Sequence, residues 1–363
     1  MFELILFIAV CLYFIQIVIF IIGASKKFSR LSENNLPKAS IIVAARNESK
    51  NIINCLESLN KLEYPQNKLE IIIVDDNSTD NTGMLIEEYI KDKNRFVYTI
   101  AKDKIGKLKG KANAIANGIA LSSGEIILTT DADCIVYATW AKTIASYYTK
   151  DVGIVCGYTA QYERDGFSGM QSMDFIYLLT VAAGTMNLGK PLSAIGNNMS
   201  YSRKAYDEVG GYAKIPFSVT EDFKLLMSIY ALKRYKLIYP MDSDALVTSE
   251  PCGNVKEIYW QKKRWGVGGL DSDIVGYGVM ASGFICHLFF LLAPFVYSRD
   301  ILIMLLFKII IDSYFLRAVY NKLKLKFSIK YFFAFEIYFI LYVIFLPFIL
   351  IFDKRVKWKG REF

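Results

Sequence analysis

The sequence predicts an α/β domain, built on a parallel sheet, that is attached to several membrane segments. Three observations lead to this prediction. Apolar strands alternate with helical patterns from residue 38 onward, polar clusters follow the strands, and long apolar runs lie at both ends of the chain. Of the 363 residues, 53% are hydrophobic and 21% are charged. That mixture excludes a disordered chain, a collagen-like repeat and a small disulfide scaffold.

The first element is an apolar run, Phe2 to Ile22, that is long enough to cross a bilayer, which takes about 20 residues. Basic residues follow this run at Lys26, Lys27 and Arg30 instead of preceding it. Because a cleaved leader has a basic start and a small-residue cleavage site, we expect residues 1–24 to be a retained membrane anchor. The positive-inside rule then places the chain after the run in the cytoplasm.

The predicted soluble domain covers residues 38–270. Strands are predicted at residues 40–44, 69–74, 96–100 and 125–128, and the helical patterns between them cover residues 52–59, 84–90 and 110–121. This alternation indicates a parallel sheet covered on both faces. Polar clusters stand at the carboxyl ends of the strands, where open α/β sheets bind ligands. Between residues 152 and 251 the pattern is mixed and less regular.

The C-terminal region, residues 275–352, is predicted to hold two or three membrane segments. Its apolar stretches are Val275–Tyr297, Ile301–Leu316 and Tyr331–Phe352. The lysine-rich loop at 317–330 favours the cytoplasm, and three full spans would leave the basic tail, residues 353–363, outside, against the positive-inside rule. The alternative is that one stretch is re-entrant or interfacial. The middle stretch is the weakest span because it carries Lys308 and Asp312.

The numbers and positions of the histidine and cysteine residues limit which side chains can bind a metal or carry acid–base catalysis. No two of the six cysteines form a CxxC pair, so neither a zinc site nor a disulfide framework is predicted. The single histidine, His287, lies in an apolar run. Acid–base chemistry must therefore use carboxylates, and a metal site must use oxygen ligands. The net charge of +8 lies largely on the membrane flanks, where it attracts anionic lipid and requires no nucleic acid.

A pair of aspartates, Asp131 and Asp133, follows the fourth predicted strand. Two carboxylates at i and i+2 after a strand can share a hard cation, and that cation can bridge a diphosphate. The same spacing is also typical of a solvated turn with helix-capping aspartates. The tripeptide alone is compatible with both interpretations.

Two later motifs also carry a functional and a structural interpretation. Glu221 and Asp222 precede an apolar helical run, where they either favour the helix dipole or supply a general base. Gln261, Arg264 and Trp265 share one face of a helix by their spacing. An arginine fork suits a phosphate and an indole face suits a sugar ring. The alternative is an interfacial amphipathic helix with its tryptophans at the headgroups.

Taken in order, these motifs resemble the family 2 glycosyltransferases. The segments that carry the resemblance are Ile41–Glu48, Val74–Asp80, Gly110–Ala114, Asp131–Asp133, Glu221–Asp222 and Gln261–Trp265. The resemblance covers residues 38 to 269, and the flanking apolar runs suit the membrane-bound branch, whose members carry a QxxRW motif. It implies a GT-A fold, the nucleotide-diphospho-sugar transferase fold, and a hexosyltransferase activity.

The resemblance also implies roles for individual residues on the donor side. The positions that match nucleotide-binding residues of the family are Ala45, Asn47, Glu48, Asp76 and Lys111. Asp131 and Asp133 match the motif that holds Mg²⁺ or Mn²⁺ on the sugar diphosphate.

Further matching positions concern the chemistry and the acceptor. Asp222 matches the catalytic base, and Gln261, Arg264 and Trp265 match the QxxRW motif. Contacts with the acceptor are predicted for Trp265, Asn198 and Glu221. A single base with no partner nucleophile implies one in-line displacement and inversion.

We therefore predict a multi-pass inner- or plasma-membrane enzyme with a cytoplasmic catalytic domain. It would transfer a sugar from a nucleotide sugar, expected to be a UDP-sugar, to a lipid or polysaccharide acceptor. The block Gly196–Met199 looks closer to enzymes that add one sugar to a lipid or carrier than to long-polymer synthases. The alternatives are a processive polysaccharide synthase and a non-catalytic membrane protein that binds nucleotide sugars.

Overall fold

The computed structural model describes residues 1–102, 104–106, 108–216, 218–296, 298–358 and 361–362. The chain divides into two compact units. The α/β unit comprises Lys26–Ala160 and Ala194–Glu250. The helical unit comprises Met1–Ser25, Gln161–Ser193 and Pro251–Phe363.

Ten strands, numbered in chain order, build the sheets of the α/β unit. They are β1 (Ala39–Ala45), β2 (Leu69–Asp75), β3 (Phe96–Ile100), β4 (Ile126–Asp131), β5 (Cys134–Val136), β6 (Val152–Cys156), β7 (Thr159–Gln161), β8 (Met199–Ser202), β9 (Lys236–Ile238) and β10 (Val247–Ser249). The main sheet has seven strands in the order β3-β2-β1-β4-β8-β6-β9, and a second sheet has the order β5-β10-β7. The strands β1 to β4 pair in parallel, and β8 runs antiparallel to β4 and β6.

The register of the parallel strands brings their carboxyl ends together. Ala45 of β1 pairs with Asp75 of β2, and Ala44 pairs with Asp131 of β4. The central strands are buried along nearly their whole length, which is why their sequences read as continuous apolar runs rather than alternating ones. The polar residues that follow these three strands therefore lie along one edge of the sheet.

Helices of the α/β unit separate or follow the strands. They are α2 (Ile52–Asn60), α3 (Thr82–Ile90), α4 (Gly110–Leu121), α5 (Trp140–Ser146), α7 (Arg203–Glu208), α8 (Gly211–Lys214) and α9 (Glu221–Ala231). The strands and helices predicted between residues 38 and 128 are confirmed, with small shifts at their ends. The predicted parallel α/β fold is therefore correct.

The helical unit contains the apolar segments. Its helices are α1 (Phe2–Ala24), α6 (Gly166–Asn187), α10 (Val255–Gly269), α11 (Ile274–Leu292), α12 (Arg299–Lys322) and α13 (Ile329–Phe352), and the strands β11 (Lys357–Trp358) and β12 (Arg361–Glu362) form a hairpin. Three segments are long and apolar enough to cross a membrane, namely Phe2–Ala24, Ile274–Phe295 and Ile329–Phe352. Within the described residues α12 is not among them. Tyr297, at the end of a predicted apolar stretch, and Lys359, in the predicted basic tail, lie outside the described residues.

The long helix α6 is an element that the sequence pattern did not predict. Most of its residues are buried, and a helix that is buried all round shows no amphipathic stripe. A capping box does mark its start, since the side chain of Asp165 accepts a hydrogen bond from the N–H of Ser168 at 2.8 Å. The structure assigns α6 and α10 to the helical unit, whereas the predicted soluble domain ran without interruption from residue 38 to 270.

A buried charge cluster lies among the helices α1, α12 and α13. The Nζ atom of Lys308 lies 2.8 Å from Asp312 Oδ2 and 2.5 Å from Glu336 Oε2. The hydroxyl of Tyr13 donates to Asp312 Oδ1 at 2.9 Å. Since an isolated charge is costly in an apolar environment, the pairing accounts for how these side chains can be buried.

Candidate active site

The loops after β1 and β2 are held together at the carboxyl edge of the sheet. The N–H of Asn47 donates to Ser78 Oγ at 3.0 Å, and Asn47 Oδ1 accepts from the N–H of Thr79 at 2.8 Å. The N–H of Asp76 donates to the carbonyl of Ala45 at 2.8 Å. Asn47 has a φ of 52°, a left-handed conformation that asparagine tolerates better than most residues. Three of the predicted nucleotide-binding residues thus belong to one hydrogen-bonded cradle.

The fourth, Glu48, is buried and connects this cradle to two helices. Its N–H donates to Thr82 Oγ1 at 2.8 Å, and its Oε2 accepts from Asn51 Nδ2 at 2.9 Å. Its carbonyl accepts from the N–H of Ile52, at the start of α2, at 2.9 Å. The visible role of Glu48 is therefore to fix the loop after β1, and its contact with a nucleotide stays a prediction.

Lys111 interacts with three of the predicted site residues of the α/β unit. It is the second residue of α4 and forms an ion pair with Asp131, the last residue of β4. Burial would lower the pKa of Lys111, but the carboxylates of Asp131, Glu221 and Asp222 outweigh that effect and raise the pKa above its ordinary value. A predicted metal ligand, a predicted acceptor contact and the predicted base therefore act electrostatically on the ammonium group of a predicted nucleotide ligand.

The metal-ligand candidate Asp133 follows β4 in the turn before β5. The thiol of Cys134 lies 3.6 Å from Asp133 Oδ1, and the thiol of Cys55 lies 3.6 Å from the carbonyl of Asp131. Burial raises the pKa of both thiols, and the neighbouring carboxylates of Asp133 and Asp131 raise it further. Because protonated thiols are poor metal ligands, the available donors here are carboxylate oxygens, which fit Mg²⁺ or Mn²⁺.

Among the described residues, no group of three or more histidine, cysteine, aspartate or glutamate side chains is arranged to hold a metal ion. In their predicted role, Asp131 and Asp133 would hold a cation as a pair of carboxylates. The remaining coordination positions would go to water and to oxygens of a bound substrate, as is usual for Mg²⁺ in phosphate chemistry.

Asp222 lies in the first turn of α9, and two backbone N–H groups fix its carboxylate. Gly196 donates to Oδ2 at 2.6 Å, and Phe223 donates to Oδ1 at 2.8 Å. Gly196 is itself fixed, because Thr129 Oγ1 of β4 donates to its carbonyl at 2.7 Å. Thr129 was not predicted as a site residue. The available signal was a pair of threonines, Thr129 and Thr130, that follows the apolar residues of a central strand.

Asn198 is buried, and its amide group is used inside the protein. Its Oδ1 accepts from the indole N–H of Trp140 at 2.9 Å. Its Nδ2 donates to the carbonyls of Tyr158 at 2.7 Å and Ala245 at 3.0 Å. These bonds give Asn198 a structural role in holding the segment that leads into β8. Its predicted contact with an acceptor stays a prediction.

The residues Gln261, Arg264 and Trp265 all lie on α10, as their spacing predicted. The side chain of Asn254 caps this helix by accepting from the N–H of Glu257 at 3.0 Å. The structure places these three residues in the helical unit, whereas the donor-side candidates lie in the α/β unit.

Two lysines between Gln261 and Arg264 argue against the interpretation of α10 as an interfacial amphipathic helix. Lys262 and Lys263 are both buried. Lys262 pairs with Asp174, and the Nζ atom of Lys263 lies 2.8 Å from Asp353 Oδ2. An interfacial amphipathic helix would instead direct its lysines toward headgroups and water.

The parallel strands, the loops at their carboxyl ends and the aspartate pair after β4 define a nucleotide-diphospho-sugar transferase domain of the GT-A class. The chain belongs to the family 2 glycosyltransferases. The family model described as Glycosyl transferase family group 2 matches residues 126–352, and the model described as Glycosyl transferase family 2 matches residues 40–210. Membership of the branch with a QxxRW motif stays a prediction.

Several curated proteins are similar in sequence. The probable glycosyltransferase YdaM of Bacillus subtilis is 27% identical over 66% of this chain and 57% of its own length. A beta-monoglucosyldiacylglycerol synthase of Nostoc sp. is 27% identical over 67% of this chain and 51% of its own length. A poly-beta-1,6-N-acetyl-D-glucosamine synthase of Staphylococcus aureus is 26% identical over 66% of this chain and 56% of its own length. The chain thus spans little more than half the length of these relatives.

A solved structure with a similar fold is the mannosyltransferase PcManGT from Pyrobaculum calidifontis, in complex with GDP-Man and Mn²⁺. The TM-score is 0.65 at 18% sequence identity, and the match covers 98% of this chain and 100% of that chain. At this level of identity, the similarity shows that the two proteins share a fold.

Proposed function

We propose that the protein is a membrane-anchored, inverting glycosyltransferase that moves one sugar from a nucleotide-diphosphate donor to a lipid or glycan acceptor. The observation that carries this proposal is the electrostatic cluster around Lys111. The residue that pairs with it, Asp131, is a metal-ligand candidate, and the nearby Asp222 is the candidate base. Because the metal-ligand aspartates and the base are all present, the sequence favours an enzyme over a non-catalytic binding protein.

The reaction would be a single displacement at the anomeric carbon of the donor sugar. The bond from that carbon to the diphosphate breaks as the acceptor oxygen attacks from the opposite face, so the configuration inverts. The loops after β1 and β2 would bind the nucleotide, and Asp222 would accept the proton of the acceptor hydroxyl. Asp131 and Asp133 would hold Mg²⁺ or Mn²⁺, which stabilises charge on the leaving diphosphate when it is bound.

The acceptor class is supported by the names of the relatives. One similar protein is a synthase of a glucosyl lipid, and another is a synthase of a polysaccharide. We favour transfer of a single sugar to a lipid, and the second candidate is processive polysaccharide synthesis. The donor is proposed to be a UDP-sugar, and the structural neighbour PcManGT, solved with GDP-Man and Mn²⁺, supports a nucleotide sugar with a divalent ion.

We also propose that α1 anchors the chain in the inner or plasma membrane and that the α/β unit is cytoplasmic. The support is the basic stretch after α1, where Lys26, Lys27 and Arg30 follow the apolar helix. This orientation gives the active site access to nucleotide sugars from the cytoplasm, and it leaves the lipid acceptor within reach of the helical unit.

The test of this function is a product assay with the full-length protein in membranes. Membranes are incubated with a panel of nucleotide sugars, and the lipid extract is analysed by mass spectrometry. A lipid that carries one additional hexose supports the proposal, whereas a ladder of products indicates a processive synthase. Neither transfer nor donor hydrolysis with any nucleotide sugar would contradict the glycosyltransferase assignment.

We expect Gly196→Ala to reduce turnover about tenfold, because small displacements of a reacting group are costly. A Cβ atom at this position would lie 3.2 Å from Asp222 Oδ2, so the carboxylate must move by a few tenths of an ångström. The measurement is kcat together with the melting temperature. Gly278→Ala is the matched control, since a Cβ atom there meets nothing within 4 Å. Equal turnover of the two variants would show that the position of Asp222 is not critical.

We expect Arg264→Lys to cost roughly 1–3 kcal/mol of transition-state stabilisation, as for a lost charge-assisted contact. We propose that the planar guanidinium of Arg264 binds two phosphate oxygens of the donor, a geometry that lysine cannot reproduce. The measurement is kcat/KM for the donor. Lys256→Arg, an exchange at an exposed position of the same helix, is the control. Unchanged activity of Arg264→Lys would leave this residue with an anchoring role only.

A further inference from the structure

A buried ion pair lies against the ring of Trp265. Lys262 of α10 pairs with Asp174 of α6, and their side chains are 7% and 3% exposed. The Nζ atom of Lys262 lies 4.4 Å from the centroid of the Trp265 ring. Phe175, the neighbour of Asp174 on α6, stacks on the same indole with the centroids 5.6 Å apart and the planes at 12°.

The arrangement follows from the positions of these residues on two helices. Lys262 and Trp265 are three residues apart on α10 and therefore lie on one face. The partners that they contact are adjacent on α6. Tyr342 of α13 adds a further ring, with its centroid 4.8 Å from the Lys262 ammonium. The indole is thus contacted by a cation and by a nearly parallel aromatic ring, both of which favour one orientation of its plane.

Stability alone does not account for a lysine and an aspartate at this depth. Removing two charges from water costs about as much as their attraction returns, and apolar residues of similar volume often stabilise a fold equally well. The pair has a geometric effect, because Asp174 fixes the position of the ammonium and the ammonium fixes the indole. Glu336, Asp312 and Lys308 form a comparable buried cluster, but no described contact connects them to Trp265.

We propose that Lys262 and Asp174 are positioning residues that hold the indole of Trp265 in the orientation that receives the acceptor. This inference rests on the proposed function and on the predicted contact between Trp265 and the acceptor. Trp265 touches the acceptor, whereas Lys262 and Asp174 act through Trp265. The acceptor step should therefore depend on a charge pair that contacts neither substrate.

The first experiment measures the orientation of Trp265 without any enzyme assay. The full-length protein, which has four tryptophans, is labelled with 5-fluorotryptophan, and Trp265→Phe assigns one of the ¹⁹F resonances. We expect Lys262→Met to shift or broaden the Trp265 resonance. Lys308→Met, which removes a buried lysine of the same unit, should leave it in place. An unchanged Trp265 resonance in Lys262→Met would overturn the proposal.

The second experiment separates the acceptor step from the donor step. We expect the ratio of sugar transfer to donor hydrolysis to fall about tenfold in Lys262→Met and Asp174→Asn, with a raised KM for the acceptor. Lys262→Arg, which keeps the cation, should restore part of that ratio. An equal loss of transfer and hydrolysis would indicate a purely structural role. If the wild-type protein transfers no sugar at all, the proposed function fails, and the ¹⁹F spectra still decide whether the pair orients Trp265.

Discussion

Replacing Asp222 with asparagine is expected to lower turnover by about 10²-fold or more, the usual contribution of a general base. Asparagine has nearly the same shape as aspartate, and its amide oxygen can still accept hydrogen bonds from the N–H groups of Gly196 or Phe223, which hold the carboxylate. It cannot take a proton from the acceptor hydroxyl. The loss should therefore appear in kcat, while the melting temperature and nucleotide binding remain close to those of the wild type.

The companion variant for this prediction is Glu221→Gln. Glu221 precedes Asp222 on α9, and both carboxylates act on Lys111. If the two variants lose turnover equally, the effect comes from the charge near Lys111 rather than from proton transfer. Near-wild-type turnover of Asp222→Asn, combined with a large loss in Glu221→Gln, would move the base to Glu221.

The strands next to the predicted nucleotide-binding residues could be predicted because the hydrophobic pattern of the sequence and the burial in the structure agree there. The runs that became β1, β2 and β4 are apolar on both faces, as buried parallel strands must be. Each ends where a polar cluster begins. Because the carboxyl ends of neighbouring parallel strands lie at the same edge of a sheet, this pattern is sufficient to place Asn47, Asp76 and Asp131 along one edge before any contact is known.

The features of the fold and the site that the sequence did not predict depend on contacts between residues that are distant in sequence. The helix α6 has no polar face that could reveal it, because its surroundings in the fold bury it on most sides. Asn198 looks like a ligand contact in a polar block, yet its partner Trp140 lies 58 residues earlier. Similarly, Lys262 reads as an exposed cation next to Gln261, and its partner Asp174 lies 88 residues away. A pattern of neighbouring residues contains no information about such pairs.

Asp133→Ala is expected to lower turnover by about 10²-fold or more, because a divalent cation contributes several kcal/mol to stabilising charge on a phosphoryl oxygen. Of the two predicted metal ligands, Asp133 gives the more specific test, because removing Asp131 would also break the ion pair with Lys111. Treatment of the wild type with a chelator should likewise abolish transfer, and added Mg²⁺ or Mn²⁺ should restore it.

Metal binding itself provides the decisive measurement for Asp133. Titration of Mn²⁺ in the presence of a nucleoside diphosphate, followed by electron paramagnetic resonance, should give weaker binding in Asp133→Ala than in the wild type. Cys134→Ser is the matched control, because it exchanges a buried side chain next to Asp133 for one of similar shape and keeps the carboxylate. Full activity of Asp133→Ala in excess chelator would remove the cation from the mechanism. The ammonium of Lys111, which pairs with Asp131, would then be a candidate to stabilise the leaving diphosphate.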